Sequence, residues 1–275
     1  MRWHGLGMRW HDLIVARSAY RLQVRRMREY GANFLASLAN IPVMLLITVF
    51  VWRVVFGGRA EVNGYGLTDI VGYYLLIRLV SLVVNQAGAV SSQAWQDINS
   101  GSLGGLLARP LDYQLYSLGR TAGPMSFYLV VGMGFYAAMA LVFRLPLPSA
   151  PRLLFTLVSV ANGFLIWFLT QFILGILAFW IGRTDALRDL VFEFYALFSG
   201  VIIPNDFLPA LPRRLAAALP FQQLFYIPVS GLLGRLGPEA MVQALITQEV
   251  WITGLFTISR LLWASGVGRF EAQGG

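Results

Sequence analysis

The chain has 275 residues, 57% of them hydrophobic and 12% charged, with a mean hydropathy of +0.65. A soluble domain carries about 25% charged residues, so this composition excludes an ordinary water-soluble globule and points to a polytopic membrane protein. The net charge of +8 rests on 21 arginines with no lysine, and these flank apolar stretches instead of forming one basic stripe, so no nucleic-acid partner is expected.

The first 30 residues hold seven arginines and no uninterrupted apolar run of about 7 to 15 residues, so they do not fit a cleaved secretory signal and the N-terminus is expected to be retained. Trp10, Leu13, Tyr20, Val24 and Met27 recur at helical spacing, with Arg9, Arg21, Arg25, Arg26 and Arg28 at other positions. Residues 1–31 therefore read as an interfacial helix whose apolar stripe sits at the headgroup boundary and whose arginines reach anionic lipid phosphates; a solvated basic arm is the alternative.

Crossing a hydrocarbon core of about 30 Å takes roughly 20 helical residues. Six stretches of that order follow in turn, at 32–56, 67–90, 121–143, 153–180, 186–203 and 240–263, the fifth being the shortest. They are apolar around the whole circumference and lack the alternation of barrel strands, so the fold expected is all-α: one membrane domain, a six-helix bundle over 32–263 with a tail at 264–275. Placing the N-terminus in the cytoplasm leaves thirteen arginines inside, seven outside and Arg78 within a span, the bias expected for both termini in the cytoplasm. Residues 204–221 are apolar but repeatedly broken by proline, which removes backbone donors. They read either as short helices dipping into or lying on the outer leaflet, or as a simple external loop.

Without lysine the chain has no phosphate-cradling glycine loop, so it cannot hydrolyse ATP by that route, and the glycine-rich 99–105 reads as a turn. Only two histidines, His4 and His11, are present, and neither lies in a carboxylate cluster; with no cysteine and no nucleophile elbow, neither a metal site, a bound cofactor nor an enzyme is expected. The loop after the second stretch is the most distinctive. It carries apolar Ile98, Leu103, Leu106 and Leu107, a glycine break and an Arg109-Pro110 stop, followed by the run 111–116. It reads as a short amphipathic cytoplasmic helix that either inserts its apolar face into a partner's groove or lies at the interface without one.

Arg78 and Glu193 fall near the middle of the second and fifth stretches, where an unpaired charge costs about 2.5–3.5 kcal/mol, so they are expected to pair with each other or to line a hydrated path. Asn162, Gln171 and Glu249 are further intramembrane polar residues, with interhelical hydrogen bonding of about 0.6 kcal/mol each as the default role. Gly132, Gly134 and Ala138 suggest close helix packing. A self-contained secondary transporter or channel, with Arg78, Glu193 and Glu249 as a charge relay, is the alternative to a partner-driven machine, though no inverted repeat is visible.

The order Trp-x-Asp-Ile-x-x-Gly-x-Leu-x-x-x-Leu-x-Arg-Pro over 95–110, then Phe225-Tyr226-Ile227-Pro228 with Gly231, then the terminal 268–275, resembles the permease subunits of ABC-2 type transporters, in their poorly characterised six-span branch. The resemblance spans essentially the whole chain. It implies an exporter in the bacterial inner membrane, built from two permease subunits, this one beside a related but different chain. It also implies two separate ATP-binding subunits that use ATP and Mg, and surrounding membrane lipid. By the same resemblance 1–31 is a connecting helix and the proline-broken stretch forms outer re-entrant helices. The coupling helix to the ATP-binding partner falls on Trp95, Gln96, Asp97, Ile98, Gly101, Leu103, Leu106, Leu107, Arg109 and Pro110. Members of that family often carry Glu where Gln96-Asp97 stand, a departure that alters the polar contact to the motor.

Overall fold

The computed structural model describes residues 10–29, 31–143 and 148–272. Helix α1 (Trp10–Glu29) is followed by α2 (Gly31–Phe56). The chain then turns at Asn63-Gly64, with φ of +50° and +73°, to make a minimal antiparallel hairpin of β1 (Glu61–Val62) and β2 (Tyr65–Gly66), in which Val62 pairs with Tyr65. Asn-Gly is the dipeptide that accepts two successive left-handed residues. Helix α3 (Leu67–Val84) is interrupted by one 3-10 turn at Asn85–Ala87 and resumes as α4 (Val90–Asn99). There follow α5 (Ser102–Leu107), α6 (Tyr113–Phe143), α7 (Ala150–Ile176), α8 (Asp185–Phe198), α9 (Ala210–Ala218), α10 (Tyr226–Leu232) and α11 (Pro238–Ala272).

Among the described residues three helical stretches are long and apolar enough to cross a membrane: Leu67–Asn99, Ala150–Phe179 and Pro238–Phe270. A fourth is added if the pair Ala210–Ala218 and Pro220–Leu232, bent by 73°, counts as one broken span. The expected span at 186–203 is shorter than foreseen: α8 has 14 residues, which at ~1.5 Å rise reach only about two-thirds of a ~30 Å core. Helix α11 continues into the expected tail as far as Ala272, and residues 273–275 lie outside the described residues. The proline-broken stretch forms one short helix, α9, with single 3-10 turns on either side at Asn205–Phe207 and Pro220–Gln223, the helix being interrupted where proline removes a donor.

In a bilayer apolar burial does not drive helices together, so small-residue contacts and buried hydrogen bonds carry the packing. Helix α7 is the centre: Phe164, Trp167, Phe168 and Phe172 are buried, with α11 and α4 packed along it. At Gly175 a Cβ would stand 2.7 Å from that of Ala94, so only glycine admits α4 there. Helix α1 docks on the first half of α6 in the same way. Cβ atoms at Gly119 and Gly123 would lie 2.3 Å from the Ala16 carbonyl oxygen and 2.9 Å from that of Tyr20. This small-x-x-x-small pair makes a tight helix contact of α6; Gly132 is buried against Leu79 of α3, where a Cβ would stand 3.9 Å from the carbonyl oxygen, whereas nothing lies within 4 Å of a Cβ at Gly134, and Ala138 is exposed. The outward side of α1 carries Arg17, Arg21 and Arg25 one turn apart, with Leu13, Ile14 and Leu22 also exposed. Apolar side chains cover the outer faces of the bundle, Val43, Phe50 and Val54 on α2 and Val242, Ile246 and Val250 on α11 among them.

Candidate functional site

The distinctive loop is the end of a rod. Helices α3 and α4 run from the β-hairpin to Asn99, and the chain reverses at Gly101, whose φ of +76° favours glycine. Helix α5 then folds back. The Asp97 carboxylate locks this reversal: it accepts a 2.7 Å hydrogen bond from the Tyr113 hydroxyl on α6 and a 3.1 Å bond from the Ser102 hydroxyl. Burial, and then the hydrogen bond to Asp97, push the Tyr113 hydroxyl well above the usual tyrosine range, so it stays a neutral donor. Trp95 Nε1 donates to the Gly182 carbonyl at 3.0 Å, tying the rod to the loop between α7 and α8.

The sequence pattern directs the apolar residues of this loop either into a partner's groove or onto the interface; the structure turns them inward. Leu103 is fully buried, Ile98 is buried, and Leu106 and Leu107 pack on the chain's own core. Exposed instead are Gln96, Asn99, Ser100, Gly101, Gly105, Ala108, Arg109 and Pro110. The surface on offer is thus polar and small, with one cation at Arg109. Beside it a cleft of about 320 Å3 opens between Val15 of α1 and Leu106, Arg109, Pro110, Leu111 and Tyr116.

Sequence reasoning missed the hub that braces this surface. Asp112 accepts from the Leu115 amide at 3.0 Å, capping α6, and pairs with Arg260 of α11 at 2.6 Å; its own amide donates to Asp12 of α1 at 3.1 Å. Gln114 adds a 2.8 Å bond to Ser259. One residue therefore joins three helices immediately after the loop. An acidic residue directly before a long helical run is a legible cap signal, but its ties to α1 and α11 are not local in sequence.

The polar residues expected within the membrane separate into pairs and singles. Ser91 donates to Gln171 at 2.6 Å between α4 and α7. Asn162 donates to Glu249 at 2.9 Å between α7 and α11, and the neighbouring Gln248 donates to the Ser159 hydroxyl at 2.8 Å and to the Gln223 carbonyl. Arg78 lies within electrostatic reach of Tyr74 and Tyr195, while Glu193 is exposed on α8. Among the described residues no ion pair or hydrogen bond joins Arg78 to Glu193, nor either to Glu249.

At the opposite end, Asp206 accepts from the Tyr65 and Tyr226 hydroxyls at 2.5 Å and 2.7 Å, and Arg235 lies 3.2 Å over the Tyr65 ring while donating to the Gly64 carbonyl. This knot ties the hairpin, the segment before α9, α10 and the loop leading to α11. Burial, followed by the hydrogen bond to Asp206, raises the Tyr65 hydroxyl far above its ordinary value. Among the described residues no group of three metal-ligating side chains is present.

A family model described as ABC-2 family transporter protein matches residues 42–274, which takes in the rod, the loop, the hub and α11. The chain belongs to the ABC-2 transporter family. A search of curated proteins returns no match. The match makes this an ABC-2 family membrane protein, and it places the braced loop, the Asp112 hub and the outer knot inside the region the family shares. Helix α1 and the first part of α2 precede it.

Proposed function

We propose that this chain is the permease subunit of an ATP-driven ABC-2 exporter, forming half of a translocation pathway in the bacterial inner membrane. It has six membrane passages, α2, α3 with α4, α6, α7, the short α8 together with the segment as far as 203, and α11, both termini in the cytoplasm, and the bent α9–α10 region re-entering from outside. Two ATP-binding subunits, using ATP and Mg, push on the 95–110 loop, and a second, related but different permease completes the pathway. This chain carries no covalent chemistry.

The observation that supports the reading best is the braced reversal at Gly101. It stands at the end of one long helical rod, exposes a small polar surface, and is held by Asp97, Tyr113 and Trp95, so a push on it moves the rod as a rigid body instead of deforming a soft loop. The rest of the site supports a contact role: Arg109 and Gln96 face outward, and α1 walls the adjoining cleft.

The test is affinity purification of the tagged chain from its native membrane, with the retained subunits identified by mass spectrometry. The native chain is expected to retain an ATP-binding subunit and a second permease. Arg109→Glu, which reverses an exposed charge without touching the core, should lose the ATP-binding subunit while keeping the second permease. Absence of any ATP-binding protein under conditions that preserve other transporter complexes would refute the proposal.

A further inference from the structure

Consecutive helices α6 and α7 do not lie closely against one another; α3 stands behind the gap, and a partly open pocket of about 290 Å3 remains among α3, α6, α7 and the end of α10. Its walls are Leu76, Leu79 and Val83 of α3, Leu129 and Met133 of α6 and Leu157 of α7, with further apolar residues around them. Among the described residues the hydroxyls in the wall are those of Tyr136 and Thr156, and Thr156 spends its proton on the carbonyls of Arg152 and Pro228. Gly132 keeps the space open: a Cβ there meets nothing nearer than Leu79, at 3.9 Å. Val130 on α6 and Leu154 and Val158 on α7, each next in sequence to a wall residue, are exposed apolar side chains, a surface of the kind that faces acyl chains.

One cation sits at the α7 end of the mouth. Arg152 precedes the wall residue Leu153 and is one turn from Thr156, and its guanidinium lies against the Gly234 backbone, two residues beyond the wall residue Leu232. Among the described residues no carboxylate pairs with Arg152. In the proposed topology this end is the outer leaflet, at headgroup depth.

We propose that this pocket is a binding site for an anionic phospholipid of the outer leaflet, one acyl chain entering between α6 and α7 and the phosphate resting on Arg152. The apolar walls give a hydrocarbon chain dispersion contacts on several sides, where a small polar solute would have to shed its water without compensation. The guanidinium supplies the charge-assisted contact that selects a phosphate at that depth. The lipid is a resident that fills the splay between α6 and α7, not cargo. The inference rests on insertion in a bilayer and is independent of the ATP-driven role.

The experiment places the purified full-length chain in nanodiscs containing phosphatidylglycerol with a photoactivatable diazirine midway along one acyl chain, and maps the labelled peptides after irradiation; phosphatidylcholine with the same diazirine is the comparison. Label should concentrate on 129–137 and 153–160, above the level on the exposed face of α2. Gly132→Phe or Leu157→Trp, each growing into the cavity, should remove that excess while the α2 label persists. Arg152→Gln should lower the phosphatidylglycerol label in the pocket toward the phosphatidylcholine level, by about tenfold if the phosphate contact is of ordinary charge-assisted strength, and Arg152→Lys should restore part of it. Label at Val43, Phe50 and Val54 with no excess in the pocket, or an excess unchanged by both filling variants, overturns the site while leaving bilayer insertion standing. Absence of label everywhere overturns both. Size-exclusion profiles of each variant separate a filled pocket from a misfolded chain.

Discussion

Tyr113→Phe removes a single oxygen and leaves the ring, which stacks on Trp263 with centroids 4.9 Å apart, in place. What is lost is the 2.7 Å bond to Asp97, one of two side-chain bonds holding the reversal at Gly101. A hydrogen bond to a charged group contributes about 1.5–3 kcal/mol; Asp97 is half-buried and regains some water, so the lower part of that range applies, close to a tenfold shift toward the unbraced loop. The chain has no cysteine, so Gly105→Cys, at an exposed position where a Cβ meets nothing within 4 Å, gives a single spin-label site. The native background should give an immobilised spectrum, Tyr113→Phe and Asp97→Asn should each add a mobile component, and the double variant should be little worse than either. Additive effects of the two substitutions, or unchanged spectra in both, would refute the view that this bond braces the loop.

Gly119→Leu would drive a side chain into the backbone of α1 at Ala16, where even a Cβ has 2.3 Å; overpacking of this kind costs about 1–3 kcal/mol or more, and trypsin should then cleave at Arg17, Arg21 and Arg25 faster than in the native chain. Arg260→Gln breaks the bond to Asp112 and should lower the thermal unfolding temperature in detergent, whereas Arg269→Gln, an exposed arginine on the same helix, should leave it unchanged. The hydroxyls of Tyr65 and Tyr113 have folded-state pKa values raised above the unfolded value of about 10, so the stability they contribute is present below that pH and is lost only as pH rises toward the folded values. Ultraviolet titration should accordingly show tyrosine still protonated at about pH 11 in the folded chain, above the ordinary value of about 10; complete ionisation of the tyrosines in one step near pH 10 would contradict the knots.

The all-helical class was legible, because whole-circumference apolarity favours helices, whose backbone is satisfied within the segment in a membrane; α5 and α10 were not, as one falls in a glycine-rich run read as a turn and the other is too short to stand out. What was not legible follows from non-local geometry. The break at Asn85–Ala87 answers to Tyr195 of α8, whose hydroxyl donates to Asn85 at 3.1 Å, 110 residues away. Gly132 and Gly119 look alike in sequence, yet one opens a pocket wall and the other admits a helix. Periodicity located Ile98, Leu103, Leu106 and Leu107 on one face but could not say which body that face meets, and the answer was this chain itself. The hairpin lay outside the apolar stretches in which strands were sought, although Asn63-Gly64 signalled it. Asp206 stood in a stretch read only for its prolines, so the tyrosine–carboxylate knot escaped notice.

The central claim is that the outward surface of the 95–110 loop is where an ATP-binding partner pushes. A photo-crosslinking amino acid placed at Gly105, in cells expressing the chain from its own locus, tests it most directly, with the same residue at Phe50 on the exposed face of α2 as the comparison. The account predicts a crosslink from position 105 to an ATP-binding protein and none from position 50. Crosslinks from 105 only to lipid or to this chain, with the complex otherwise intact, would contradict it.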